Sequence, residues 1–390
     1  MPAPTHRTQK GPDPSQFAHP FFTSTPPGLR PPTKYGTRLT DHIKTTLNKV
    51  PAPKGKSVMT LADIVGTTSA QAIENSHKLI FHATGDTGKS KDSPQGDVAD
   101  VMTKDFNINQ PAQSPAFFMH LGDVLYLHDK DQRLRTEFYE PYSHYPGKII
   151  AIAGNHDGEV FPKSDPKSLK AFMETFCAAS PKVAPIAGSI LRETMTQPGV
   201  YWRLVTHVAD FVSLYSNTAE NPGYISGQIP GTAQKKWLIA TLKEIAAERK
   251  TKGKKALILS THHPPYSSGG HSGSTEMLAD IDDACNKAGI MPDLFLSGHA
   301  HSYQRYTRRL SFNGKSLSIP YIVCGIGGFN AQAIAPAAGQ VTGDHSYDTS
   351  HHGYGYLLIE VSKTHVSVKG IGVTPDTQAR QEFDAVTVNL

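Results

Sequence analysis

Five short apolar segments of the chain are each followed by a glycine or threonine and then by acidic, amide or imidazole side chains. They read KLIFHAT, AFFMHL, KIIAIA, ALILS and DLFLS and cover residues 78–84, 116–121, 148–153, 256–260 and 293–297. Short runs rich in branched and aromatic residues are typical of buried strands. Helical patterns lie between or beside these runs at 166–178, 232–250 and 275–288. This alternation predicts an α/β fold with layered sheets.

The segments on either side complete the predicted organisation. Residues 200–216 alternate enough to predict an antiparallel hairpin, and 319–324, 355–361 and 365–371 indicate further strands. The first 75 residues are rich in Pro, Thr and Lys. We therefore expect an extended N-terminal arm over 1–75, with short helices near 39–47 and 62–76, and one large domain over 76–390.

The residues that follow the five predicted strands carry the chemistry. Ligands of open α/β sheets bind at the carboxyl ends of the strands, so side chains at these five ends should share one site. In chain order the ends supply Asp86; Asp123 and Tyr126; Asn155 and His156; His262 and His263; and His299 and His301.

Carboxylates, an amide oxygen and imidazoles together favour Zn, Fe or Mn as the bound metal. His299 and His301 lie two residues apart, so on an extended segment both rings point to one side and could serve two neighbouring ions. Seven or eight ligands exceed what one tetrahedral ion binds and suit two ions bridged by a carboxylate. Each motif alone also fits a turn or a helix cap, but five in succession favour a metal site.

Composition and charge exclude several other functions. The net charge of +5 over 390 residues comes without a basic stripe interleaved with aromatics, which argues against a nucleic-acid partner. No apolar run is long enough to cross a membrane, so we expect no membrane association. The three cysteines are far apart and the first residues contain no apolar leader, which predicts a cytoplasmic protein without a disulfide framework.

The motifs GD, GDxxY, GNH, HxP and GHxH, in this order, resemble those of the calcineurin-like metallophosphoesterases over roughly residues 78–372. Most of that family has a histidine two residues after the first aspartate, where this chain has Gly88. The second motif here adds Tyr126. This pair of differences resembles the purple acid phosphatases, in which a tyrosinate binds a ferric ion.

The resemblance implies a layered α/β/β/α sandwich of mixed sheets flanked by helices, which holds two metal ions. The first ion is expected to bind Asp86, Asp123, Tyr126 and His301. The second is expected to bind Asp123, Asn155, His262 and His299, so that Asp123 bridges. His262 is preferred as the ligand because the family's histidine precedes x-Pro, and His263 then lies behind the ligands.

Tyr126 bears on the identity of the metals. The hydroxyl of an unperturbed tyrosine has a pKa near ~10, so a phenolate ligand at neutral pH requires a strong Lewis acid. Fe(III) is therefore expected at the first position, with Zn, Mn or Fe(II) at the second. The alternative for Tyr126 is a buried tyrosine that only packs.

Two further histidines are candidates for catalysis. His156 follows the ligand Asn155 and matches the family's substrate-binding histidine, which stabilises charge on the phosphoryl group. His271 lies nine residues after His262 in a Ser/Gly-rich loop, at the offset of the family's general acid. Plant relatives have a second histidine beside it, where this chain has Ser272. The alternative for His271 is a surface loop residue.

The implied function is a metal-dependent acid phosphatase that hydrolyses small-molecule phosphate monoesters by in-line attack of a metal-bound hydroxide. Two alternatives stay open. One is a phosphodiesterase or nucleotide hydrolase that uses the same metals, and the other is a catalytically silent metal-binding scaffold. The presence of every expected ligand argues against the scaffold. The sequence leaves the oligomeric state open.

Overall fold

Two mixed β-sheets carry most of the structure, a computed structural model that describes residues 47–107, 109–161, 163–165, 167–269 and 271–390. The nine-stranded sheet has the order β1 (Val58–Thr60), β5 (Trp202–Val205), β6 (Ala209–Ser213), β7 (Ala256–Ser260), β8 (Leu294–Ser297), β10 (Lys315–Cys324), β9 (Tyr303–Phe312), β12 (His345–His351) and β11 (Gln340–Thr342). The six-stranded sheet has the order β15 (Ala379–Asn389), β14 (His365–Thr374), β13 (Tyr354–Ser362), β2 (Lys78–Thr84), β3 (Phe117–His120) and β4 (Lys148–Ala151). The predicted class, mixed α/β sheets with helices, is confirmed.

Most of the described helices are short, and the two longest pack on the nine-stranded sheet. They are α1 (Leu61–Val65), α2 (Thr67–Asn75), α3 (Pro94–Thr103), α4 (Lys130–Leu134), α5 (Asn155–Gly158), α6 (Lys170–Phe176), α7 (Ala233–Lys252) and α8 (Thr275–Ala288). A π-helical turn covers Arg135–Tyr139, and 3-10 turns cover Pro111–Gln113 and Pro185–Ala187. Across the described ranges, no helix combines the length and the apolar character that a membrane span requires.

Two apolar cores hold these layers together. The larger core lies between the two sheets, where Phe81 of β2 and Phe211 of β6 meet edge to face with ring centroids 5.2 Å apart. The second lies between the nine-stranded sheet and α7 and α8, and includes Leu242 and Ile281. Burial of large apolar side chains on both sides of one sheet explains why its central strands are almost continuously hydrophobic.

The predicted strands and helices correspond to observed elements, with shifted ends. The hairpin predicted over 200–216 is the antiparallel pair β5–β6. The helix predicted over 166–178 is shorter, because α6 covers only Lys170–Phe176. Strands β9 and β15 are among those that were not predicted. β9 contains several arginines, and most residues of β15 are exposed.

The described part of the predicted N-terminal arm belongs to the folded domain. β1 pairs in parallel with β5, and α1 and α2 bury Leu61, Ile64 and Ile73 in the larger core. The helix expected over 62–76 is present as α1 and α2, whereas most of the one expected over 39–47 lies outside the described residues. These apolar residues lie at helical spacing and pack the segment onto the sheet. The Pro-rich composition of the arm made this pattern hard to recognise in the sequence.

The topology brings the five predicted strand ends together. β2, β3 and β4 run parallel in one sheet, and β6, β7 and β8 run parallel in the other. The two sheets meet beyond these carboxyl ends, where Gly85 N donates to Cys324 O at 2.9 Å. All five loops that were expected to supply ligands therefore face one region.

Candidate metal centre

Three of the predicted ligands for the first metal converge on one point. Tyr126 Oη lies 3.3 Å from Asp86 Oδ1 and 3.2 Å from His301 Nε2. His301 Nε2 lies 3.5 Å from Asp86 Oδ1. Ligand atoms that bind one metal at about 2.0–2.2 Å are spaced like this, so the triangle suits a single ion.

Predicted ligands for the second metal meet beside this triangle. His262 Nε2 lies 3.2 Å from Asp123 Oδ2 and 3.2 Å from Asn155 Oδ1. His299 joins them, because ligand atoms of Asp123, His262 and His299 all lie within 4.8 Å of one another. His262 Nε2 is also 3.9 Å from Asp86 Oδ1, which brings the two groups of ligands side by side.

Hydrogen bonds to carbonyl oxygens orient the three histidines of these groups. His262 Nδ1 donates to Leu121 O at 2.8 Å, and His301 Nδ1 donates to Asn330 O at 3.2 Å. His299 instead donates through Nε2, to Glu220 O at 2.7 Å. A carbonyl can only accept, so each bond leaves the other ring nitrogen as the atom that can bind a metal.

His263 lies beside the predicted ligand His262, with both ring nitrogens engaged in other hydrogen bonds. Its Nε2 donates to Ala219 O and its Nδ1 accepts from Ser216 Oγ, both at 2.8 Å. Neither nitrogen is left to bind a metal. Burial and the neighbouring His262 lower the pKa of His263 to about 3, so the ring stays neutral.

The backbone at the ligands is strained and crowded. Asp86, Asp123 and His299 all have positive φ angles, of 58°, 54° and 70°. Left-handed backbone at residues other than glycine is uncommon and clusters at functional sites. The neighbouring glycines are required by space: a Cβ at Gly122 would lie 2.4 Å from His262 Nδ1, and one at Gly154 would lie 2.0 Å from Asp123 Oδ1.

The electrostatics of the centre favour a bound cation. Asp123 Oδ2 is buried and accepts no hydrogen bond, although it lies 3.2 Å from His262 Nε2. Burial raises the pKa of Asp86 to about 7. Burial lowers the pKa of His262, but Asp123 and Asp86 raise it by more, to about 9. Converging carboxylates and lone pairs of this kind fit two metal ions.

The protonation states of the remaining predicted ligands are compatible with metal binding. Burial and the surrounding histidines lower the pKa of His299 well below its usual value, and burial lowers that of His301 to about 4. Both imidazoles are therefore neutral and able to coordinate. Burial and the charge of Asp86 raise the pKa of Tyr126 well above its usual value, so only a strongly acidic metal would deprotonate it.

His156 lies at the edge of the centre with its side chain about a quarter exposed. Its Nδ1 donates to Glu159 Oε2 at 2.9 Å, and its ring lies 4.6 Å from that of Tyr126. Burial lowers its pKa, but Asp123 and Glu159 raise it by more, to about 10. The imidazolium is thus a fixed positive charge beside the predicted first metal.

His271 covers the two histidines of the GHxH motif and is not a surface residue. Its ring centroid is 4.1 Å from that of His299 and 5.6 Å from that of His301. Both ring nitrogens face amide nitrogens, Asn221 Nδ2 at 3.1 Å and Gln332 Nε2 at 3.3 Å. Burial and the neighbouring histidines lower the pKa of His271 well below its usual value.

The comparison with protein families gives the same result as this geometry. The profile of the calcineurin-like phosphoesterase family matches residues 79–303, which include every predicted ligand. The chain belongs to the calcineurin-like phosphoesterase family. This makes it a metal-dependent phosphoesterase-type hydrolase. The family uses a dinuclear metal site, and Asp123, His262 and His299 form a group that could hold a metal ion.

Solved structures show the same fold. One is GAP50, the anchor in the inner membrane complex of Plasmodium, with a TM-score of 0.52, 14% identity, and coverage of 80% of this phosphoesterase and 89% of that chain. Another is PhoD, with a TM-score of 0.51, 13% identity, and coverage of 87% and 71%. At these identities the likeness concerns the fold alone. No curated protein sequence matches the chain.

The phosphoesterase site also contains residues that the sequence did not reveal. Asp157 accepts from Val124 N, Leu125 N and Gly154 N at 2.8–3.1 Å, and so ties the GDxxY segment to the GNH segment. Asp157 directly follows the predicted site residue His156, and this position could have identified it from the sequence.

Residues 216–221, referred to below as the 216–221 loop, form the second unpredicted part. They follow β6, whose carboxyl end lies at the same edge of the sheet as that of β7. The loop supplies the carbonyls of Ala219 and Glu220 to His263 and His299. The loop could have been predicted from β6, the second strand of the hairpin. Because β6 pairs in parallel with β7, the loop after β6 lies beside the loop that carries His262.

Proposed function

We propose that this phosphoesterase is a phosphatase of the purple acid phosphatase type, which hydrolyses small-molecule phosphate monoesters. The observation that carries the proposal is the triangle of Tyr126 Oη, Asp86 Oδ1 and His301 Nε2, with sides of 3.2–3.5 Å. If Tyr126 served only to pack against its neighbours, its hydroxyl would not have to lie between the Asp86 carboxylate and His301 Nε2, the ring nitrogen that is left to bind a metal. The cytoplasmic location expected from the sequence stays part of the proposal.

The residues divide between two metals as the resemblance implies. Fe(III) would be held by Asp86, Asp123, Tyr126 and His301. Zn, Mn or Fe(II) would be held by Asp123, Asn155, His262 and His299. Asp123 suits the bridging position because its Oδ2 lies 3.2 Å from His262 while its carboxylate contributes to the charge around both Asp86 and Tyr126. When bound, two such ions supply Lewis acidity to a phosphoryl group and activate the nucleophile.

His156 would bind the phosphoryl oxygens. Its Nδ1 is engaged by Glu159, which leaves Nε2 as the donor for substrate. The charge of the ring is maintained by Asp123 and Glu159, and it would offset the negative charge that spreads over the equatorial oxygens during transfer. A dianionic monoester gains more from this cation than a monoanionic diester does.

His271 would donate a proton to the leaving oxygen. Asn221 Oδ1 accepts from Ser272 N at 2.8 Å, so Asn221 presents its amide nitrogen to His271 Nδ1. Glu220 Oε1 lies 3.5 Å from the same Nδ1 and would hold a second proton there, so the protonated ring would give its Nε2 proton to the leaving oxygen and end as a neutral imidazole. A leaving-group oxygen that accepts this proton would take the position beside Nε2 where Gln332 Nε2 now lies at 3.3 Å. Ser272, which replaces the second histidine of plant relatives, thus orients the first one.

The test compares a monoester with a diester at the metal-loaded, full-length protein. We expect p-nitrophenyl phosphate to be hydrolysed with a higher kcat/KM than bis(p-nitrophenyl) phosphate. Faster turnover of the diester, together with activity that does not need iron, would replace this proposal with the phosphodiesterase. Two bound metals without hydrolysis of either substrate would indicate the scaffold.

A further inference from the structure

The first two described residues of the chain, Leu47 and Asn48, contact the 216–221 loop; we name them the strap. Asn48 N donates to Asn217 Oδ1 at 2.8 Å, and Asn217 Nδ2 donates to Asn48 O at 2.6 Å. The side-chain amide of Asn217 therefore pairs with both backbone groups of Asn48, as a neighbouring strand would. Reciprocal bonds of this kind fix position along the chain as well as distance.

Side chains of the strap extend the contact. Leu47 is buried in a small apolar cluster with Ala219 and Tyr224, separate from the two main cores. The Asn48 side chain reaches Thr218 Oγ1 and Ser168 Oγ, each at 3.4 Å. The strap therefore contacts three consecutive positions of the loop between Asn217 and Ala219.

The same loop also accepts hydrogen bonds from one predicted ligand of the second metal and from the histidine behind the ligands. Glu220 O accepts from His299 Nε2, and Ala219 O accepts from His263 Nε2, which lies directly beside His262. Glu220 Oε2 also accepts from Asn155 Nδ2 at 3.3 Å. Two predicted ligands, His299 and Asn155, are thus oriented by a residue adjacent to Ala219, on which Leu47 packs.

Asn217 is the point at which the strap and the loop constrain each other. Asn217 is fully buried and has a φ of 75°, in the left-handed region. Asparagine tolerates this region better than most residues, but the conformation persists only where the surroundings determine it. The Asn217 Oδ1 bond from Asn48 N is one of three that converge on this atom, the others coming from Thr218 N and Thr218 Oγ1.

We propose that the strap positions the second metal site, with Leu47 and the backbone of Asn48 acting through the 216–221 loop on His299 and Asn155. The inference rests on the proposed function only in that this site binds a metal. It makes Leu47 and Asn217 positioning residues for metal binding, at a site that they do not touch. The first metal group is oriented from another side, by the bond from His301 to Asn330 O, and serves as an internal reference.

The test measures the two metal-binding constants of the full-length protein by titrating Zn²⁺ against a competing chelator. Reference variants Asp86→Ala and His262→Ala assign the constants to the first and the second group. In Leu47→Ala and Asn217→Asp the second constant should weaken about tenfold, as loss of groups that orient metal ligands usually causes, while the first is unchanged. Leu47→Met should restore it.

Ile64→Ala is the matched control for lost stability. Ile64 is buried in the larger core on α1, so its truncation should lower the unfolding temperature without changing the ratio of the two constants. Unchanged constants in Leu47→Ala, or an equal loss at both sites that tracks the unfolding temperature as in the control, would overturn the proposal. Two bound metals without phosphatase activity would instead refute the proposed function, and failure of the unaltered protein to bind a metal at the second group would refute both.

Discussion

The ring of Tyr126 lies directly against Gly88, so closely that a Cβ at position 88 would be 2.3 Å from Tyr126 Cδ2. The same ring stacks on Phe329 with centroids 3.6 Å apart and planes 8° apart. The tyrosine therefore fills the space that a side chain at position 88 would take. The absence of a histidine at position 88 and the presence of Tyr126 are therefore linked, because the two side chains would occupy the same space.

Gly88→Ala should consequently displace the ring of Tyr126. We expect the first metal to bind at least about tenfold more weakly, with a loss of about 1–3 kcal/mol in the free energy of unfolding from overpacking. Metal titration and denaturant unfolding measure the two effects. Gly372→Ala is the control, because a Cβ there would meet no atom closer than 3.3 Å. Unaltered metal binding in Gly88→Ala would show that the ring is free to move.

Asp157→Ala should destabilise the protein, because three backbone N–H groups lose their acceptor. Each unsatisfied buried donor costs about 1–3 kcal/mol, and the loss should also separate the segments that carry Asp123 and Asn155. Asp157→Asn keeps one carbonyl oxygen and should cost less. Denaturant unfolding in the presence of a chelator gives the order of stability. Equal stability of the two variants would contradict the role assigned to this carboxylate.

His271→Ala should slow hydrolysis while both metals stay bound. General acids typically contribute about 10²–10⁴-fold, and more for poor leaving groups. We expect a large loss of kcat with an alkyl phosphate and a small one with 2,4-dinitrophenyl phosphate, whose leaving group needs no proton. A similar loss with both substrates, or loss of metal, would remove His271 from proton transfer.

Metal removal should lower the unfolding temperature. A metal that binds the folded state and not the unfolded chain stabilises the folded state, and a ligand present at 100 times its Kd adds about 2.7 kcal/mol to stability. A thermal scan of the chelator-treated protein against added Zn²⁺ or Mn²⁺ measures this difference. Asn155→Ala should reduce the gain. An unfolding temperature that is independent of metal would mean that these residues do not form a metal site.

The residues selected from the sequence lie close together in the structure because the signals that select them are local. Each ligand follows a buried strand within a few residues, and parallel pairing of β2, β3 and β4 carries this order into space. The same reasoning placed His263 behind His262, and the hydrogen bonds of His263 agree with it.

What escaped prediction depends on contacts between distant segments. Glu220 orients His299 from 79 positions away, and Asn48 pairs with Asn217 across 169 positions. Neither pairing leaves a local pattern. The described part of the expected arm joined the fold for the same reason, since β1 acquires its partner β5 only in the folded sheet.

The most direct measurement is the visible absorption spectrum of the iron-loaded, full-length protein beside Tyr126→Phe. Binding of the Tyr126 phenolate to Fe(III) predicts a broad violet-to-purple band that disappears in this variant. The band should persist in Tyr303→Phe, whose hydroxyl donates to Asp384 outside the centre. A colourless protein with two bound metals, or a band that survives in Tyr126→Phe, would contradict the assignment of Tyr126 as a ligand of ferric iron.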